Sequence, residues 1–357
     1  MTPPLLNTKL GSPAGITNVP SGCEALILAN FARAGRDVLF IARDDLGLAR
    51  TATALNFFAP EVSCLEFPAW DCLPYDRVAP LGSIVGKRLN CLGQLIDKSR
   101  GEKGDVVITT TSAILQRIPG AEMLRETTLL LELGSQIEPT DLAQALEHAG
   151  FRRTDTVMET GEYAMRGGIV DVFPATSELP FRLDFFGNEL DTLRRFDPDS
   201  QRTLAKDIKL GSIALGPVSE TLLTDEAISR FRTMYRQLFG VTGVDAPLYE
   251  SVSIGKRMIG MEHWLPLFHD KLVTLFDYIP DGIVVLGHDS KPAREARYEL
   301  IQEYYSARQE TLKSSNSSGS IYRPIPPDTI FLNEKSWQSC LAQKIVVTLA
   351  VIAMPVF

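Results

Sequence analysis

Apolar and polar positions along this chain follow two different periods. From Gly161 to Arg202, GEYAMRGGIVDVFPATSELPFRLDFFGNELDTLRRFDPDSQR, two runs alternate apolar with polar side chains, and a Gly187-Asn188 turn ends the second. Successive side chains of a strand point to opposite faces. Phe181, Leu183 and Phe185 therefore share a face that can be buried, while Arg182, Asp184 and Phe186 share the other. Arg166 stands near the preceding run. Aromatic and arginine side chains dominate protein–protein hot spots, so the second face reads as a docking surface rather than a catalytic site. The plainer reading has Phe186 covering a hydrophobic gap at a sheet end, with the arginines solvated or paired with Asp184 and Glu178.

Upstream the period alternates between helix and strand. Ser21 can cap a helix running through Ala25, Ile27 and Phe31 to a stop at Gly35. Val38 to Ala42 reads as a short buried strand, Leu46 to Phe57 as a helix, and Ile84 to Ile96 as an amphipathic helix. Val62 to Phe67 and Asp105 to Thr110 are further strands. Strands that alternate with helices predict a parallel α/β sheet. The loop Phe67 to Pro80 is too rich in proline to be regular, and its Trp70 and Tyr75 are expected to pack it onto the domain rather than hold a ligand.

Thr140 is placed to cap a helix over Asp141 to Ala149 that ends at Gly150, and the pattern is then strand-rich to about Leu210. This shift predicts a small α+β domain set into the α/β layer. Ala227 to Phe239 and Lys291 to Lys313 read as helices, Ile283 to Gly287 as a buried strand, and Ser314 to Ser320 as a flexible linker. The uncharged run Ile345 to Phe357 falls short of the ~20 residues a membrane helix needs, and is expected to be a buried strand opening a further domain. The expected partition is 1–120 and 213–335 for the α/β domain, 121–212 for the α+β domain, and 336–357 for the start of another.

Composition narrows the function. At 357 residues the chain is long enough for two or three domains, and 45% hydrophobic with 22% charged residues fits a globular protein. A net charge of −8 is a poor start for a stand-alone DNA binder, which needs a basic stripe to neutralise phosphates. Cys23, Cys64, Cys72, Cys91 and Cys340 are scattered without C-x-x-C spacing, which points to reduced thiols in a cytoplasmic protein and away from disulfides or zinc. His148, His263, His269 and His288 are isolated and suggest no metal site. No signal peptide is expected at the N-terminus.

Parallel α/β domains usually bind phosphate at the first turn into a helix. That turn is expected at Gly11 to Gly15, which has glycines but no G-K-[ST], and Pro13 removes a backbone N–H that a phosphate cradle would use. Nucleotide hydrolysis is not expected. No Ser-His-Asp or Cys-His spacing stands out.

GEYAMRGGIVDVFP and FRLDFFGNELDTLRRFDPDSQRT resemble the domain shared by the excision-repair protein UvrB and the transcription-repair coupling factors (Mfd), the domain that binds UvrA in both. WDCLPYDRVAP, GMEHWLPLF at Gly260 to Phe268 and RPIPPDTIFLNEKSW at Arg323 to Trp337 resemble the coupling factors more closely. The likeness covers nearly the whole chain, to about Trp337. It implies a degenerate helicase-like parallel α/β domain with an inserted small α+β domain, without UvrB's P-loop. UvrB's aromatic-rich hairpin, which stacks on bases behind damaged DNA, does not fit in Tyr75 to Gly86.

Carried over by motif, Arg166, Arg182 and Phe186 are the expected UvrA contacts. Phe186 would be the apolar anchor and the arginines charge-assisted donors. The resemblance implies a cytoplasmic, non-enzymatic adaptor in transcription-coupled nucleotide excision repair, with UvrA as partner and no cofactor, metal or membrane. RNA polymerase and double-stranded DNA are expected to be met through other regions of such factors. The competing reading is an ATP-binding, translocase-related module with residual nucleotide or DNA binding.

Overall fold

A computed structural model of the chain describes residues 10, 14–20, 22–97, 104–204, 210–240, 246–314 and 322–350. A strand that the pattern did not predict, β1 (Ala14–Thr17), precedes the three expected upstream, which become β2 (Val38–Ala42), β3 (Cys64–Phe67) and β4 (Val106–Thr110). The middle of the chain supplies β5 (Ile118–Pro119), β6 (Leu129–Glu132), β7 (Arg152–Arg153), β8 (Glu162–Arg166), β9 (Ile169–Val172), β10 (Phe181–Phe186), β11 (Glu189–Arg195) and β12 (Ser212–Leu215). β13 (Leu272–Val273), β14 (Ile283–Leu286) and β15 (Ile345–Ala350) follow.

Six strands form a sheet of order β1-β15-β14-β2-β4-β3, and every neighbouring pair is parallel. All of β2 and β4 is buried, as a parallel sheet covered on both faces requires. Leu39, Ile41, Phe67 and Val107 face a core shared with helix Gly82–Ile96, while Phe40, Ile108, Val285 and Val347 face one shared with helices Glu24–Arg33 and Asp45–Phe58.

The reading of 336–357 as the start of another domain is corrected here over 336–350. Helix Glu334–Ala342 buries Trp337 against the first of these cores, and β15 lies between β1 and β14. An uncharged apolar run is what an interior parallel strand needs, wherever in the chain it occurs. Residues 351–357, and the linker expected at Ser314 to Ser320 from 315 onward, lie outside the described residues.

Two helix starts also differ. Helix Glu24–Arg33 has Cys23 at its N-cap with no side-chain cap, and Ser21 lies outside the described residues. The helix expected to be capped by Thr140 spans Pro139–His148, because Pro139 fits the first turn and takes Thr140 inside.

The second layer is a five-stranded sheet, β11-β10-β9-β8-β7. Helix Pro139–His148 and the β6–β12 pair cover one face, burying Leu131, Leu142, Leu146, Val170, Leu183 and Leu193. Val157, Ala164, Phe173 and Phe196 form a smaller core on the other. Where the chain leaves this layer, Glu220 meets Arg88 of helix Gly82–Ile96 at 2.5 Å, with side chains 1% and 0% exposed. The loop after β3 packs as expected: Tyr75 is buried against Tyr305 and Phe331, and Trp70 meets the His263 ring edge-on.

Candidate protein-docking site

The β8–β9 turn at Gly167-Gly168 and the β10–β11 turn at Gly187-Asn188 stand at the same end of the five-stranded sheet. Cross-strand register puts Arg166 opposite Ile169, Ile169 opposite Asp184, and Asp184 opposite Thr192. These four form one row on the face turned away from Leu183 and Val170. A bulge follows, in which Asp184 pairs with Thr192 but Phe185 pairs with Leu190. The extra residue is Asp191 on β11, so β10 keeps its alternation and Phe186 continues the row's face. Phe186 is 85% exposed and Ile169 39%, which makes an apolar pair at the tip.

The tip is held by backbone rather than by packing. Phe185 N donates to Gly168 O at 2.8 Å. Gly167 has φ +62, and a Cβ on Gly168 would stand 2.8 Å from Phe185 O, so both positions need glycine. Asp184 accepts from the Thr192 hydroxyl at 2.6 Å.

The two arginines differ. Arg166 is exposed, and its Nη2 donates to Asp155 O and, at 3.2 Å, to Thr156 Oγ1. Arg182 has a side chain only 20% exposed and grips Asp171, itself 3% exposed, through Nε–Oδ1 at 2.7 Å and Nη2–Oδ2 at 2.8 Å. Its Nη1 donates to Gln201 O at 3.3 Å, and its guanidinium lies over the Phe196 ring, 4.7 Å from the centroid. The bond to Asp171 raises the Arg182 pKa further above the ordinary guanidinium value, against the burial that works to lower it. The partner is thus Asp171, directly opposite on β9, and not Asp184 or Glu178.

Sequence reasoning missed Asp171, Ile169 and Gln201. Asp171 had a signal: it is the one acid inside the run IVDV, and only the β9–β10 register shows what it faces. Gln201 had none, since it acts through backbone carbonyls.

Among the described residues nothing comparable assembles at the first turn. Ala14 and Gly15 lie in β1, so the expected Gly11 to Gly15 turn is corrected there, and Gly11 to Pro13 lie outside the described residues. The described residues between β1 and the first helix are instead 18–20 and 22–23, where Gly22 N donates to Glu24 Oε2 at 2.6 Å. A carboxylate thus occupies the helix N-terminus that would attract a phosphate. Burial pushes His263 and His269 below the ordinary histidine range, their ring nitrogens lying 3.1 Å from Val78 O and 2.7 Å from Glu220 O. Among the described residues no group of three or more His, Cys, Asp or Glu is arranged to hold a metal, and no helix is long and apolar enough to cross a membrane.

Residues 129–220 match the family described as the UvrB interaction domain, the span that holds the five-stranded sheet. The transcription-repair-coupling factor of Escherichia coli is 34% identical over 315 residues, covering 87% of this chain and 26% of that protein. The factor of Haemophilus influenzae is 33% identical over 294 residues, covering 82% of this chain and 25% of its own length. The Bacillus subtilis factor is 26% identical over 317 residues, covering 81% and 26%. The chain spans about a quarter of the length of the curated relatives it matches. With a UvrB interaction domain at its centre and this likeness over most of its length, the chain belongs to the transcription-repair-coupling-factor family.

Proposed function

We propose that this chain is a non-catalytic adaptor that binds UvrA through the tip of its five-stranded sheet and so brings nucleotide excision repair to stalled transcription in the cytoplasm. One observation carries the reading: Phe186 is 85% exposed on a strand end fixed by two turns, inside the span matched by the UvrB interaction domain. A large aromatic held rigidly in water, with an arginine on the same face, has the character of an interface hot spot. Ile169 adds apolar area, and Arg166 offers a charge-assisted donor at the rim. Contacts to RNA polymerase and double-stranded DNA fall, in this reading, to other parts of such factors. The nucleotide-binding alternative is disfavoured by Glu24 at the turn after β1.

The test is co-elution with purified UvrA on a sizing column, followed by titration calorimetry. Wild type should share a peak with UvrA at micromolar concentration. Removing a phenylalanine that becomes fully buried on binding costs about 2 kcal/mol, so Phe186→Ala should weaken Kd by about 30-fold. It should leave the melting temperature unchanged, because a side chain this exposed supports little of the fold. The absence of a shared peak for the wild type overturns the function, and unchanged binding by Phe186→Ala overturns the site.

A further inference from the structure

The hydrogen bonds around Arg182 form a chain that ends at Arg166. Arg182 holds Asp171 with a two-pronged pair and reaches Gln201 O with its remaining Nη1. Gln201 has a left-handed backbone, φ 59, and its Nε2 donates to Val157 O at 3.0 Å and Pro198 O at 2.6 Å. Val157 directly follows Asp155 and Thr156, whose carbonyl and hydroxyl receive Arg166. Phe196 and Val157 are both fully buried in the small core under the Arg182 guanidinium.

An interface contact of this type would carry its charge outward. Arg182 instead directs its Nε, Nη1 and Nη2 donors inward. A partner that took over the paired edge would have to displace a carboxylate already 2.7 and 2.8 Å away and 3% exposed. Freeing the guanidinium would leave Asp171 as a buried, uncompensated charge, which is strongly unfavourable.

We propose that Arg182 is a positioning residue and does not touch the partner: with Asp171 and Gln201 it fixes the loop at 155–157, and thereby the place of Arg166 beside Phe186 and Ile169. This rests on the docking reading above. The contacts then comprise Phe186, Ile169 and Arg166, and Asp171 governs binding although no partner can reach it.

The experiment measures UvrA affinity and thermal unfolding for four variants of the chain. Phe186→Ala is the control for the docking reading: if wild type binds and this variant binds about 30-fold more weakly, the reading stands whatever the others do. Arg182→Met should weaken binding about tenfold, because it strands Asp171. Asp171→Asn should also weaken it, although Arg182 is then released. The double variant Asp171→Leu with Arg182→Met removes both charges and lets the methionine pack on Phe196; it should bind within about threefold of wild type.

A direct contact makes the opposite forecasts. Asp171→Asn would then bind as well as wild type or better, and the double variant would be no better than Arg182→Met. Either result overturns the proposal. A second check does not need the double variant to fold well. Because the effect of Arg182 runs through Arg166, Arg182→Met introduced into Arg166→Ala should cost less than about threefold further affinity, although it costs about tenfold in the wild-type background. A full further loss of about tenfold in the Arg166→Ala background also overturns the proposal.

Discussion

Glu220→Gln tests the joint between the two layers. Glu220 and Arg88 are 1% and 0% exposed, with Arg88 Nε 2.5 Å from Oε1 and Nη2 3.4 Å from Oε2. The guanidinium also donates to Pro68 O at 2.9 Å and lies 4.3 Å from the centre of the Phe67 ring. The amide of glutamine keeps an acceptor but leaves the buried guanidinium without a counter-charge. Breaking a buried pair from one side costs about 3–5 kcal/mol. With about 2–4 °C lost per kcal/mol in a unit of this size, the melting temperature should fall by roughly 6–20 °C. The loss should be local as well as global. In hydrogen exchange, the amides of helix Gly82–Ile96 should open faster, while those of β9 and β10 should keep their protection. Replacing both partners, Arg88→Met with Glu220→Leu, should recover most of the loss, since apolar side chains of similar volume often match a buried pair. If Glu220→Gln melts within 2 °C of wild type, a limit of about 0.5–1 kcal/mol, the pair does not hold the layers and the reasoning fails.

Three further outcomes are expected. His263 and His269 are kept neutral by burial and have lowered pKa values, so the unfolded chain takes up protons first as pH falls below about 6.5; stability should drop there by about 1.4 kcal/mol per pH unit per histidine, and denaturant melts of His269→Asn should show a flatter pH profile than wild type. Burial works to raise the Glu162 pKa, but the N–H groups of Met158 and Glu159 and the Arg152 guanidinium hold it below the ordinary value; its contribution is complete above that value and is lost as pH falls through the lowered one, so amide exchange at 157–162 should quicken below about pH 4 and Glu162→Gln should abolish that dependence. Gly168→Ala would bring a Cβ to 2.8 Å from Phe185 O, so it should loosen the β9–β10 end and weaken UvrA binding without removing any contact residue; unchanged affinity would show that the tip does not need its rigidity.

Much of the layout was legible in the sequence because it rests on local rules. A five-residue apolar run such as Val38–Ala42 can be only a strand or a piece of buried helix, and the helices on either side settle which. Strict alternation placed Phe186 and Arg182 on one face of β10, and that placement needs no tertiary information. The motif around it was specific enough to indicate the family. The α/β class, the packed loop after β3 and the exposed aromatic all follow from neighbours in the chain.

The tertiary structure decided the rest, because pairing between distant strands is set by register and burial that no local window contains. Asp171 became the partner of Arg182 because β9 and β10 align them, although Asp184 and Glu178 are closer in sequence. β15 entered the six-stranded sheet because the gap between β1 and β14 needed an apolar strand, and the run at 345–350 supplied one. The strand-to-helix connection lies after Thr17 rather than at Gly11 to Gly15, because β1 spans Ala14–Thr17. The sequence by itself determined which side chains could leave the core at the tip of the second sheet. Only the tertiary structure decided which of them stay free to meet a partner, because a charged side chain pairs with the counter-charge that folding brings beside it.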